Sequence, residues 1–89
     1  MVWTVEYTDT AKRQLRKLDR QIARRILDFM DERVSAGRNP RDTGKALTGS
    51  LLGAFWRYRV GDFRVICDIN DNKLLVIVIQ IGNRREVYR

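Results

Sequence analysis

Apolar and polar residues alternate from Val2 to Tyr7, with Trp3, Val5 and Tyr7 on one side and Val2, Thr4 and Glu6 on the other. A period of two is that of a half-buried strand. The period then lengthens. Ala11, Leu15 and Leu18 recur at i, i+4, i+7, an amphipathic helix that Thr8 or Asp9 can cap. Lys12, Arg13, Arg16 and Lys17 fall on its outer side. Asp19 is placed to cap a second, longer helix, in which Ile22, Ile26, Met30 and Val34 make one stripe, thickened by Ala23, Leu27 and Phe29. Gly37 stands where a helix stop is expected, with Pro40 three residues later. The pattern predicts two antiparallel helices sharing one apolar seam.

Residues 38–54 carry Pro40, Gly44, Gly49 and Gly53 and read as a long connection with one helical turn around Lys45 to Leu47. Long connections of this kind often hold functional residues. It is not a domain boundary, because neither side could fold alone. Three strands follow, at Phe55–Val60, Phe63–Ile69 and Lys73–Ile81. Gly61-Asp62 fits a two-residue hairpin turn with glycine first, and Asp71-Asn72 fits another. The expected fold is α+β in the order β-α-α-β-β-β: a mostly antiparallel four-stranded sheet with a two-helix hairpin packed on one face, one domain over residues 1–89.

The first hairpin turn fixes a register. Val60 then faces Phe63, Arg59 faces Arg64, Tyr58 faces Val65 and Arg57 faces Ile66. Since side chains alternate across a strand, Trp56, Tyr58, Val60, Phe63, Val65 and Cys67 share an apolar face directed at the helices. Arg57, Arg59 and Arg64 share the other. Like charges directly opposite each other destabilise a sheet by roughly 0.2–1 kcal/mol per pair, so an anionic ligand is the simplest reason for the arrangement. With Asp71-Asn72 as its turn, the last strand sets Ile79 across from Arg64 and brings Gly82 beside Gly61. The tail that follows can then carry Arg84, Arg85 and Tyr88 to the same patch. Guanidinium groups converging from three segments, with a phenol able to stack on a base, describe a phosphodiester-binding site. The plainer reading is a solvated sheet face that happens to be basic.

Composition narrows the chemistry. The chain has 89 residues, 18 of them Lys or Arg against 11 Asp or Glu, for a formal charge of +7. Fourteen of the basic residues are Arg, whose planar fork grips phosphate through two hydrogen bonds. No histidine is present, which removes the usual general base and the commonest zinc ligand. A single cysteine excludes a disulfide framework; Cys67 is expected in the core, and Trp3 and Trp56 in the core or at its edge. Walker loops, GxGxxG and carboxylate pairs at catalytic spacing are missing, so neither metal nor cofactor is expected. The longest apolar run, Leu74 to Ile79, falls well short of the roughly 20 residues of a spanning helix. Together with the lack of a signal-peptide pattern at the start, this predicts a soluble, cytoplasmic protein with no membrane partner.

Arginines and a tyrosine can still cleave RNA, because the ribose 2′-OH is a nucleophile that the substrate brings with it. The protein has to align that hydroxyl with the scissile phosphate and neutralise the charge that develops on the phosphoryl oxygens. Proton transfer is the weak point, since arginine, with a pKa above about 12, is a poor base. Tyr88 and Lys45 are the remaining candidates.

The run Leu47-Thr48-Gly49-Ser50-Leu51, the hairpin Trp56-Arg57-Tyr58-Arg59-Val60-Gly61-Asp62-Phe63-Arg64-Val65 and the tail Ile81-Gly82-Asn83-Arg84-Arg85-Glu86-Val87-Tyr88-Arg89 resemble the RelE family of toxins from toxin–antitoxin pairs. The resemblance implies a ribosome-dependent endoribonuclease that cuts mRNA in the A site and leaves a 2′,3′-cyclic phosphate. It also implies neutralisation by a RelB-like antitoxin, and contact with operator DNA only through the toxin–antitoxin complex. By position, Arg64 and Arg84 match the family's phosphate-stabilising arginines and Tyr88 its substrate-orienting tyrosine. Arg57 and Arg59 fall where well-studied members have lysines, one of them assigned as general base, and Asn83 where many have histidine. The expected catalytic set is therefore Arg57, Arg59, Arg64, Arg84 and Tyr88, with Lys45, Arg85 and Arg89 as RNA contacts. ParE toxins share this fold but poison DNA gyrase without cutting RNA. They are the competing class, and the Arg-Arg-Glu-Val-Tyr-Arg tail favours the nuclease.

Overall fold

A computed structural model describes residues 2–47 and 55–83. Strand β1 covers Thr4–Tyr7, and helices α1 and α2 cover Asp9–Lys17 and Arg20–Phe29. Strands β2 (Lys45–Ala46), β3 (Phe55–Val60), β4 (Phe63–Asn70) and β5 (Leu75–Asn83) complete the described elements. They form one sheet in the order β1-β5-β4-β3-β2, parallel between β1 and β5 and antiparallel elsewhere. The class is the α+β one expected, with five strands instead of four. The additional strand is β2, which lies where a helical turn was expected.

Both helix starts are set by side chains. The Thr8 hydroxyl accepts a hydrogen bond from the Ala11 amide at 3.1 Å, and Asp19 accepts from Gln21 at 2.9 Å. α1 lies mainly against β5 and α2 reaches β3, so contact between the helices is smaller than a shared seam would give. After Phe29 the chain continues through a wider helical segment, Met30–Ser35, in which the Ala36 amide reaches the Asp31 carbonyl five residues back. The cause is legible in the stripe itself. Apolar positions spaced by four drift about 40° per step around a 3.6-residue helix. A wider turn reverses that drift, and Ile26, Met30 and Val34 all end fully buried.

The core lies between the helices and one sheet face, where Tyr58, Val65, Cys67, Val76 and Val78 are buried with Trp3 and Ala11. Full burial of one such aliphatic side chain is worth about 1.5–3 kcal/mol. Burial also pushes the Cys67 thiol well above its ordinary range, as expected of a core cysteine. Trp3 is buried in the core and Trp56 is half-buried at its edge, both as expected, with the Arg41 guanidinium 5.5 Å from the Trp56 ring centre. Among the described residues no helix is long and apolar enough to cross a membrane.

Candidate nucleic-acid interface on the sheet

The β3–β4 hairpin has the expected register: Arg59 is paired with Arg64, Arg57 with Ile66 and Tyr58 with Val65. Gly61 at the turn has φ +59, a conformation glycine reaches without a Cβ penalty. The alternation does the rest. Tyr58, Val60, Val65 and Cys67 enter the core, while Arg57, Arg59 and Arg64 belong to the opposite face.

The β4–β5 register departs from expectation in two steps. The connection is a four-residue turn over Asp71–Leu74, not the two-residue turn Asp71-Asn72, and Leu74 has φ 49, which is uncommon for a bulky residue. A bulge between Ile66 and Cys67 then leaves Ile79 without a cross-strand partner. Gly82, instead of Ile79, consequently stands across from Arg64. No side chain rises beside the guanidinium on that strand. Helix α1 secures the bulge: the Thr8 hydroxyl donates to the Ile79 carbonyl at 3.0 Å, and the Gln14 side-chain oxygen accepts from the Ile81 amide at 2.6 Å. A glutamine on the flank of an amphipathic helix gives no sequence signal for this role.

The face is thus a grid. One row holds Arg59, Arg64 and Gly82, and the next holds Lys45, Arg57, Ile66 and Gln80. A third row runs through Phe55, Asp68, Ile77 and Glu6, so the basic region has an acidic border. The face is not uniformly solvated, since Arg64 is only 9% exposed and Ile66 5%, whereas Arg59 and Lys45 are exposed. A charge held this deeply is little screened by water.

Lys45 reaches the grid through a strap. Asn39 caps a short turn at Pro40–Asp42, accepting from the Arg41 amide at 3.0 Å. The fully buried Tyr58 hydroxyl donates to the Pro40 carbonyl at 2.6 Å, and burial raises the pKa of that phenol. Arg41 forms a two-point ion pair with Asp71 at 2.8 Å, which holds the Asp71 carboxyl below its usual range. Gly44 follows, where a Cβ would meet the Tyr58 ring at 2.8 Å and the Arg57 carbonyl at 3.1 Å. Only a residue without a side chain lets the strap lie that close to β3, and Lys45 then pairs with Arg57.

Arg57, Arg59, Arg64 and Lys45 are therefore brought to one face from three strands. Arg84, Arg85, Tyr88 and Arg89 lie outside the described residues, as does most of the Leu47–Leu51 run. A groove of about 750 Å³ lies elsewhere, between α2 and the end of β3. It is lined by Arg20, Arg24, Arg25 and Arg33 together with Asp28 and Glu32, and Arg59 borders both regions. Interleaved charges of both signs make it a poorer phosphate site than the grid, whose basic rows contain no carboxylate among the described residues. Among the described residues no group of three or more His, Cys, Asp or Glu could hold a metal ion.

Residues 5–88 match the family model for the ParE toxin of type II toxin–antitoxin systems. Toxin RelG of Mycobacterium tuberculosis is 34% identical, the alignment covering 100% of this chain and 99% of the relative. Toxin RelE of the same organism is 35% identical over 96% of this chain and 84% of its own. The toxin–antitoxin complex RelBE2 from that organism contains a chain that superposes with a TM-score of 0.85 at 30% identity, covering 94% of this chain and 100% of that one.

Proposed function

The chain belongs to the ParE toxin family of type II toxin–antitoxin systems, alongside its RelE-type members, and from that premise we propose that it is a ribosome-dependent endoribonuclease acting on mRNA. The observation that carries the reading is the pair of basic rows, Arg59 with Arg64 and Lys45 with Arg57, assembled on one sheet face against their mutual repulsion.

Cleavage of RNA by its own 2′-OH passes through a phosphorane-like state with added negative charge on the non-bridging oxygens. Arg64 is suited to that charge: it is nearly buried, held by the sheet and flanked by glycine. Arg57 and Arg59 border it on β3 and suit the flanking phosphates. Arg84 and Tyr88, which follow β5 in the sequence, complete the set in this reading, the arginine on the phosphate and the phenol on a base. Arg85 and Arg89 extend the backbone contacts. The ribosome supplies alignment of the 2′-OH, which the grid alone does not provide, and this is the physical reason for ribosome dependence. Such action takes place in the cytoplasm.

A RelB-like antitoxin is the proposed partner, with an acidic segment that covers the Arg rows and silences them by charge complementarity. Operator DNA is bound only by that complex. Primer extension on translating ribosomes with purified protein tests the function. The expected result is mRNA cut within the A-site codon with a 2′,3′-cyclic phosphate end. Intact mRNA at a concentration that arrests growth, together with blocked supercoiling by DNA gyrase, would overturn it.

A further inference from the structure

We infer that the Lys45 amine is the proton acceptor for the 2′-OH, a role that rests on the RNA-cleavage reading above. The chain has four lysines: Lys12 and Lys17 lie on α1, Lys73 lies in the β4–β5 turn, and Lys45 alone enters the basic grid. Its neighbours there are guanidinium groups, which stay protonated at every pH the protein survives. An amine can give up its proton and take another. Among the described residues of the two basic rows, Lys45 is thus the only side chain able to cycle a proton.

Its placement is built. A two-residue strand has little cohesion of its own, yet β2 is fixed by the Tyr58–Pro40 hydrogen bond, the Arg41–Asp71 ion pair and the Gly44 contact with the Tyr58 ring. All three lie within five residues of Lys45 on the strap. They deliver an exposed lysine directly across from Arg57, one row from Arg64. The charged groups facing Lys45 are Arg57 on β3 in its own row, Arg59 and Arg64 in the adjacent row, and Asp68 on β4 in the row beyond. Arg41 on the strap is engaged by Asp71, and Asp42 is exposed. Cations predominate around the amine, and Asp68 is the one carboxylate in these rows on β2, β3 and β4 among the described residues.

The step balances as follows. Neutral Lys45 removes the 2′-OH proton and becomes an ammonium as the 2′-oxygen bonds to phosphorus. The bond from phosphorus to the 5′-oxygen breaks, and that oxygen takes a proton from water. The hydroxide left behind restores the amine. The products are a 2′,3′-cyclic phosphate and a 5′-hydroxyl, with no net proton consumed.

Single-turnover cleavage of mRNA on programmed ribosomes tests the assignment with Lys45→Arg, which keeps the charge and loses the base, and Lys45→Ala. Both variants are expected to lose about 10²–10⁴-fold in rate, the usual contribution of a positioned base. Lys45→Arg, which keeps the charge, should bind the ribosome within about threefold of wild type. Added methylamine or ethylamine should restore part of the Lys45→Ala rate, the stronger base rescuing more. Lys45→Arg cleaving within about threefold of wild type would overturn the assignment while leaving the nuclease reading intact, as would Lys45→Ala without amine rescue. A wild-type protein that leaves ribosome-bound mRNA uncut would remove both.

Discussion

The two faces of the hairpin β3–β4 are built from alternate residues of the same two strands, Phe55–Val60 and Phe63–Asn70, yet they obey opposite rules. On the helix side Tyr58, Val60, Val65 and Cys67 are buried against α1, α2 and β5, and every contact there stabilises the fold. On the other side Arg59 opposes Arg64 and Lys45 opposes Arg57, arrangements that work against it. One face therefore holds the protein together, and the other gathers like charges from neighbouring strands, as the proposed anion site requires. Natural proteins commonly give up stability at functional sites in this way.

Substitutions can pull the two faces apart. Arg64→Ala should cause the largest functional change, a loss of about 10²–10³-fold in ribosomal mRNA cleavage, the effect of removing one preorganised donor. A circular dichroism spectrum like that of the wild type would accompany it, and undiminished cleavage would take Arg64 out of the site. Tyr58→Phe attacks the boundary between the faces. It removes the donor to the buried Pro40 carbonyl and should lower stability by about 1–3 kcal/mol in urea unfolding. It also loosens the strap that carries Lys45, so cleavage should fall with it. Gln14→Ala releases the Ile81 amide from its 2.6 Å acceptor and should cost about 1 kcal/mol in the same assay. A loss of cleavage beyond what the loss of stability explains would show that the bulge positions Gly82 across from Arg64.

The smallest effect concerns pH. The Asp71 carboxyl is held below its ordinary value by hydrogen bonding to Arg41, so the folded state binds that proton less readily than the unfolded chain. Its contribution is present above the ordinary carboxylate range and is lost as pH falls through the depressed value. The pair is solvent-exposed, and the loss should be slight. Acid titrations of wild type and Asp71→Asn, compared by melting temperature, should converge at low pH and separate only above it. Parallel curves would deny the pair any role in fixing the strap.

Much of this division was legible in the sequence. Alternation in Phe55–Val60 and Phe63–Ile69, with glycine first in a two-residue turn, placed Arg57, Arg59 and Arg64 on one face and the core residues on the other. Thr8 and Asp19 announced both helix starts. Three features were not legible. A two-residue strand carries no period, so Lys45 read as part of a helical turn. The four-residue turn ends on a leucine in the left-handed region, where no local signal points to it. The bulge depends on Thr8 and Gln14, which are remote in sequence from Ile79 and Ile81. Together the turn and the bulge moved Gly82 into the place across from Arg64 expected for Ile79. Local patterning sets faces, whereas register far from a tight turn is set by tertiary contacts.

Arg59→Thr tests the central claim most directly, because it removes one partner of the Arg59–Arg64 opposition without entering the core. Urea unfolding and ribosomal mRNA cleavage would be measured on the same preparation. A face that trades stability for anion binding predicts opposite changes: stability higher by about 0.2–1 kcal/mol and cleavage lower by about tenfold or more. Reduced stability with unchanged cleavage would contradict the account, since the arginine pair would then be holding the sheet together instead of serving a phosphate.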